Sequence, residues 1–271
     1  MQLKKLFRSR ILQLVLAIYG VTGLVLWYLQ ERLLFHPVPL PASHTFRFKQ
    51  PHREVQVRLN EKDVLHLVQF YPSDTSRVRG IVLYFHGNRE NIGRYAPFAE
   101  LFTQEGYEVW MPDYPGYGKT TGERTEQRFY SDAALVYRMA AGRLAADSIL
   151  IYGKSLGTGV ACELAGRQPC KKLLLETPYY SIPALAWYHF PLYPASRMSR
   201  YRFSNYEHLA HVQAPVVIFQ GTHDRIVPYR HAATLRPLLK PGDRFITIKG
   251  GGHNNLATFD FYRQQLRAAL R

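Results

Sequence analysis

Residues 148–166 read SILIYGKSLGTGVACELAG, and the fold follows from how this stretch divides. Its opening SILIY is an apolar run of strand length, and its closing TGVACELAG has the composition of a helix. Between them lies Gly153-Lys154-Ser155-Leu156-Gly157, a G-x-S-x-G. A serine at a sharp strand-to-helix turn has its hydroxyl pushed out above a sheet, and small residues on either side let the strained turn form. The letters alone recur by chance, so the flanking strand and helix carry the specificity. Gly153-Lys154-Ser155 also resembles the end of a phosphate-binding loop. That motif requires a glycine at 148, which is Ser, and a short strand cannot form a cradle of backbone N–H groups.

The same alternation extends outward in both directions. Strand-like runs fall at 55–59, 64–71, 81–85, 107–111, 148–152, 172–176, 216–220 and 244–248. Helical segments fall at 95–104, 125–145, 157–166, 231–239 and 256–270. The run IVLYF at 81–85 is apolar on both faces, as a central parallel strand requires. The expected architecture is α/β: a mainly parallel sheet covered by helices on both faces, with its site at the carboxyl ends of the strands.

A serine hydroxyl is a poor nucleophile without a base. His253 is the candidate, because it follows the last strand in the glycine-rich Lys249-Gly250-Gly251-Gly252-His253-Asn254. Such a loop lets an imidazole reach across the top of the sheet. The base needs a carboxylate to hold its tautomer and stabilise the imidazolium. Asp224, just past the strand at 216–220, is the expected partner. Glu176 competes because it ends the preceding strand, and Asp243 is weaker because it precedes a strand. The oxyanion of a tetrahedral intermediate needs preformed donors, expected here from the backbone N–H groups of Leu156 and Asn88. His86 reads as a turn and packing residue, and Asp113-Tyr114-Pro115-Gly116-Tyr117-Gly118 as a structural turn at the rim of the site. The segment 178–213 interrupts the alternation with aromatic residues and prolines, as a short cap above Ser155.

The chain has 271 residues, 46% hydrophobic and 20% charged, which suits one large globular domain and excludes a disordered one. Its 35 Lys and Arg against 20 Asp and Glu give a net charge of +15. No nucleic-acid motif accompanies the charge, so no nucleic-acid partner is expected. Cys162 and Cys170 fall in or just after one predicted helix, about 12 Å apart if both are helical, too far for a disulfide.

Residues 11–28, ILQLVLAIYGVTGLVLWY, carry no charge and are just long enough to cross a bilayer. Lys4, Lys5, Arg8 and Arg10 precede them, and Trp27 and Tyr28 close them as interfacial aromatics. No small-residue cleavage site follows, so the expectation is an uncleaved signal anchor. The positive-inside rule then puts 1–10 in the cytoplasm and the enzyme domain on the other side, which is the periplasm in a bacterium. The proline-rich stretch at 29–51 reads as a linker, and 52–271 as the catalytic domain.

Several motifs together carry a resemblance: HGN at 86–88, DYPGYG at 113–118, GKSLGTG at 153–159, ETPYYSI at 176–182, GTHDRIVP at 221–228 and GGGHN at 250–254. With ERLLFHP at 31–37 they resemble the membrane-anchored branch of the α/β-hydrolase superfamily, over about the whole chain. The resemblance implies an α/β-hydrolase fold and a Ser155–Asp224–His253 triad with esterase or thioesterase activity. It implies no cofactor and no metal. The expected partners are a small-molecule or lipid acyl substrate and a membrane.

Overall fold

The apolar runs align into one eight-stranded sheet. The computed structural model describes residues 2–76 and 78–271, with side chains from Arg10 onward. The strands are β1 (His52–Arg58), β2 (Val64–Phe70), β3 (Gly80–Phe85), β4 (Tyr107–Pro112), β5 (Ile149–Lys154), β6 (Lys172–Glu176), β7 (Val216–Gly221) and β8 (Arg244–Ile248). Their order across the sheet is β1-β2-β4-β3-β5-β6-β7-β8. The β1–β2 and β2–β4 pairings are antiparallel and all others are parallel.

The two-residue period of a strand sorts the core into two layers. Ile81, Leu83, Phe85, Ile149, Ile151, Leu173 and Leu175 face one layer. Val82, Tyr84, Leu150, Tyr152, Leu174 and Phe219 face the other. Both layers are buried, which is why β3, β4 and β5 read as continuous apolar runs. The helix Glu126–Ala141 begins where the Thr125 side chain accepts from the Arg128 N–H, and presents Phe129, Ala133, Val136 and Ala140 to the first layer.

Helix boundaries depart from the predicted ones where proline intervenes. The segment at 95–104 is a chain of short turns, with a 3-10 turn over Ala96–Ala99 containing Pro97. Pro237 likewise makes 233–238 a 3-10 stretch, since proline lacks the N–H an α-helix needs. The last helix is Asp260–Leu270, preceded by a separate 3-10 turn at Leu256–Thr258. Both cysteines are free. Cys162 lies within the helix Gly157–Arg167 and Cys170 just beyond it. Burial pushes both thiols up, that of Cys170 to about 12, so neither is poised to react.

Residues Gln2–Leu34 form a single helix. Its part Arg10–Leu34 is long and apolar enough to cross a membrane, with none of its most apolar window buried. Met1 and the side chains of Lys4, Lys5 and Arg8, which carry the expected cytoplasmic flank, lie outside the described residues. The chain then lies along the domain: His36–Pro37 pairs with Arg89–Glu90, Pro39 bridges to Gly118, and Phe46 is buried. Between β6 and β7 the segment expected as a cap folds into three short helices, Ile182–His189, Ala195–Met198 and Asn205–Leu209.

Candidate active site

Ser155 stands at the end of β5 with φ of +51°, in the left-handed region that costs a non-glycine residue energy. The turn holds because its surroundings fix it. The Ser155 N–H donates to the Glu176 carbonyl at 2.9 Å, and the Ser155 carbonyl accepts from the Thr158 N–H at 2.9 Å and its hydroxyl at 2.7 Å. The flanking glycines are required by close approach. A Cβ on Gly157 would lie 2.1 Å from the Phe85 carbonyl oxygen, and one on Gly153 2.6 Å from the Gly157 oxygen.

The structure brings His253 and Asp224 to Ser155 in one hydrogen-bonded line. Ser155 Oγ lies 2.8 Å from His253 Nε2, and His253 Nδ1 lies 2.8 Å from Asp224 Oδ2. With the Nδ1 proton donated to the carboxylate, Nε2 is free to accept from the serine hydroxyl. Asp224 is buried, and its other oxygen accepts the N–H groups of Ile226 and Val227 at 2.9 and 2.8 Å. Gln220 donates to Oδ2 at 3.2 Å and is itself tied to the Val227 carbonyl at 2.9 Å. The loops after β7 and β8 are joined where the His223 N–H donates to the Gly251 carbonyl at 2.8 Å. Gly221 permits this approach, since a Cβ there would sit 2.2 Å from the same oxygen.

The competing carboxylates are engaged elsewhere. Glu176 is held by Lys154, which faces it across the β5–β6 register, and by the hydroxyls of Tyr152 and Tyr262. Burial raises its pKa, but Lys154 and the two hydroxyls outweigh that and hold it below its ordinary value. Asp243 accepts from the Val216 N–H at 2.8 Å and pairs with Lys240, at the amino end of β7.

The Leu156 and Asn88 backbone N–H groups donate to no acceptor among the described residues. Asn88 is fixed through its other groups: its side-chain amide donates to the Leu34 carbonyl at 2.7 Å, and its carbonyl accepts from the His36 N–H and the Tyr117 hydroxyl at 2.9 and 2.8 Å. His86 is wholly buried, with Nδ1 donating to the Gly87 carbonyl at 2.7 Å and Nε2 3.2 Å from Asp113. The turn at 113–118 therefore braces the Asn88 loop through Asp113, Tyr114 and Tyr117. Sequence reasoning missed Gln220, Lys154 and Leu34 in these supporting roles, because each acts through a tertiary contact. Among the described residues no cluster of three or more His, Cys, Asp or Glu could hold a metal.

Residues 76–201 match the serine aminopeptidase S33 family. An uncharacterized protein of Mycobacterium tuberculosis is 30% identical over 87% of this chain and 84% of its own. The chain belongs to the α/β-hydrolase superfamily. Alpha/beta hydrolase domain-containing protein 17C of Xenopus tropicalis is 26% identical over 70% of this chain and 61% of its own. In structure the α/β-hydrolase is similar to an esterase of Pyrococcus furiosus (TM-score 0.66, 16% identity, 88% of this chain and 97% of that one). It is equally similar to an α/β hydrolase of Vibrio vulnificus (TM-score 0.66, 19% identity, 80% of each chain). The solved structures share the α/β-hydrolase fold with this chain.

Proposed function

We propose that this protein is a membrane-anchored serine hydrolase that cleaves ester or thioester bonds through an acyl-enzyme. The observation that carries the reading is the line Ser155–His253–Asp224, at 2.8 Å for each step, beside the unpartnered N–H of Leu156. His253 Nε2 takes the Ser155 proton as Oγ bonds to the carbonyl carbon. The carbonyl oxygen becomes an oxyanion between the amides of Leu156 and Asn88, each such donor being worth roughly 3–4 kcal/mol in the transition state. Collapse expels the alcohol or thiol, which takes the proton from His253. Water then loses a proton to His253 and attacks the acyl carbon, and the second collapse returns that proton to Ser155 and releases the acid.

A peptidase of the same geometry is the second reading, favoured by the family match. An aminopeptidase must pair its substrate's ammonium with a carboxylate, yet residues 177–196, which directly follow β6, contain no Asp or Glu. Loss of chemistry with retention of the fold is disfavoured, because Ser155, His253 and Asp224 keep an unbroken hydrogen-bonded line. The apolar helix Arg10–Leu34 supports anchoring, and the basic residues before the uncharged run favour a domain outside the cytoplasm by the positive-inside rule. The test is labelling of the full chain by a fluorophosphonate. Wild type is expected to label and Ser155→Ala not to; undiminished labelling of the variant would refute the assignment.

A further inference from the structure

The cap and the N-terminal helix meet at an unexpected depth. Arg10 bounds the apolar run at one end, and the 18 uncharged residues after it span about 27 Å as a helix, close to the roughly 30 Å of a hydrocarbon core. Yet the cap contacts the helix well inside that run. The rings of Tyr193 and Tyr19 stack at 4.8 Å, the Tyr19 hydroxyl donates to the Leu192 carbonyl at 2.8 Å, and Tyr193 also lies over Gly23. Tyr19 is nine residues before Tyr28, about 13 Å along the axis.

The chemistry of the cap follows that depth. Residues 177–196 contain no Lys, Arg, Asp or Glu, and Trp187, Tyr188, Phe190 and Leu192 are exposed, Leu192 by 76%. The first charges come where the helix reaches its interfacial end: Arg200 lies 4.5 Å over the Trp27 ring, and its N–H donates to Gln30 at 2.7 Å. Arg200 thus stands at headgroup level, with Arg197 and Arg202 near it in the sequence, in a protein of net charge +15. An exposed apolar tip with a basic rim is the signature of a surface that enters an anionic leaflet.

Behind the tip lies a cavity of about 210 Å³, walled by Leu26, Trp27 and Leu33 of the helix and by Leu185, Phe190 and Met198 of the cap. Leu34 also lines it, and the Leu34 carbonyl is the group that holds the Asn88 side chain. Leu34 therefore lies between the cavity and the side chain of Asn88, whose backbone N–H is the expected oxyanion donor. We propose that the cap tip at 187–193 is immersed in the leaflet on the domain's side, and that the cavity between helix and cap takes the acyl chain of a membrane-resident ester or thioester directly from that leaflet. The acyl-chain part rests on the serine hydrolase reading above.

Two measurements on the full chain, in vesicles of equal parts phosphatidylcholine and phosphatidylglycerol, test it. In the first, Leu192→Cys carries a nitroxide, in a chain whose buried Cys162 and half-buried Cys170 are both replaced by Ala. Relaxation by oxygen is expected to exceed that by a water-soluble nickel complex. The reverse would put the tip in water and overturn the proposal, whatever the activity. In the second, Ala186→Trp and Leu26→Trp fill the cavity from its two walls, with fluorophosphonate labelling reporting that each variant is folded. The ratio of kcat/KM on p-nitrophenyl hexadecanoate to that on the butyrate is expected to fall about tenfold, the worth of about two methylene groups returned to water. An unchanged ratio in a labelled variant would overturn the acyl-chain site alone. A wild type that cleaves neither ester and does not label would overturn the hydrolase reading and the acyl-chain site with it.

Discussion

Replacing Asp224 by Asn tests the role of the carboxylate with almost no change of shape. The hydrogen bonds around it fix which way an amide would turn. Oδ1 accepts two backbone N–H groups, from Ile226 and Val227, so the carboxamide oxygen must stay there and its NH2 must face His253. The NH2 then donates to Nδ1, the imidazole proton moves to Nε2, and Nε2 no longer accepts from Ser155. Loss of the base in this way is expected to lower kcat by about ten-thousandfold, or about 5 kcal/mol of barrier. The fold loses far less. Gln220, held by the Val227 carbonyl, would face the new NH2 donor to donor, at a cost of about 1 kcal/mol. The assay is the rate of fluorophosphonate labelling and of p-nitrophenyl ester cleavage beside a thermal melt. Activity within tenfold of wild type, in a folded protein, would refute the assignment of Asp224.

Gly157→Ala drives a Cβ to 2.1 Å from the Phe85 carbonyl oxygen, so chemical denaturation is expected to show a loss of about 3 kcal/mol, together with weaker probe labelling. Lys154→Met leaves the Glu176 carboxylate buried without its cation and should cost roughly 3–5 kcal/mol. The double variant Lys154→Met/Glu176→Gln should melt higher than that single one, and a lower melting point would count against the pairing. Burial, with a smaller contribution from His189, depresses the pKa of His231 to about 4, and its Nε2 accepts from the Tyr180 N–H at 3.2 Å. The unfolded chain therefore binds a proton near its ordinary 6.5 that the folded chain refuses. Stability should fall by about 3 kcal/mol as pH drops from 6.5 towards 4 and then level, and His231→Gln should flatten melts across that window.

Much of the architecture was legible along the chain because it depends on near neighbours. An apolar run such as IVLYF fits a strand buried on both faces wherever it occurs, and G-x-S-x-G between strand and helix marks a turn by steric demand alone. The uncharged run at 11–28 is a local property of the same kind. Proline, also local, explains why the helices expected at 95–104 and 231–239 break into short turns.

The choice of partners across long separations was not local. Glu176 and Asp224 both follow apolar strands in the sequence. Register puts Glu176 opposite Lys154, while the link from His223 to Gly251 carries Asp224 to His253. The Leu34 carbonyl under Asn88, and a cap tip lying beside Tyr19, belong to the same class of fact. A serine turn, a histidine in a glycine-rich loop and an apolar helix are each written in a few consecutive residues. Which carboxylate His253 meets and what the helix touches came from strand register and packing, between residues 29 apart for Asp224 and His253 and 173 apart for Tyr19 and Leu192.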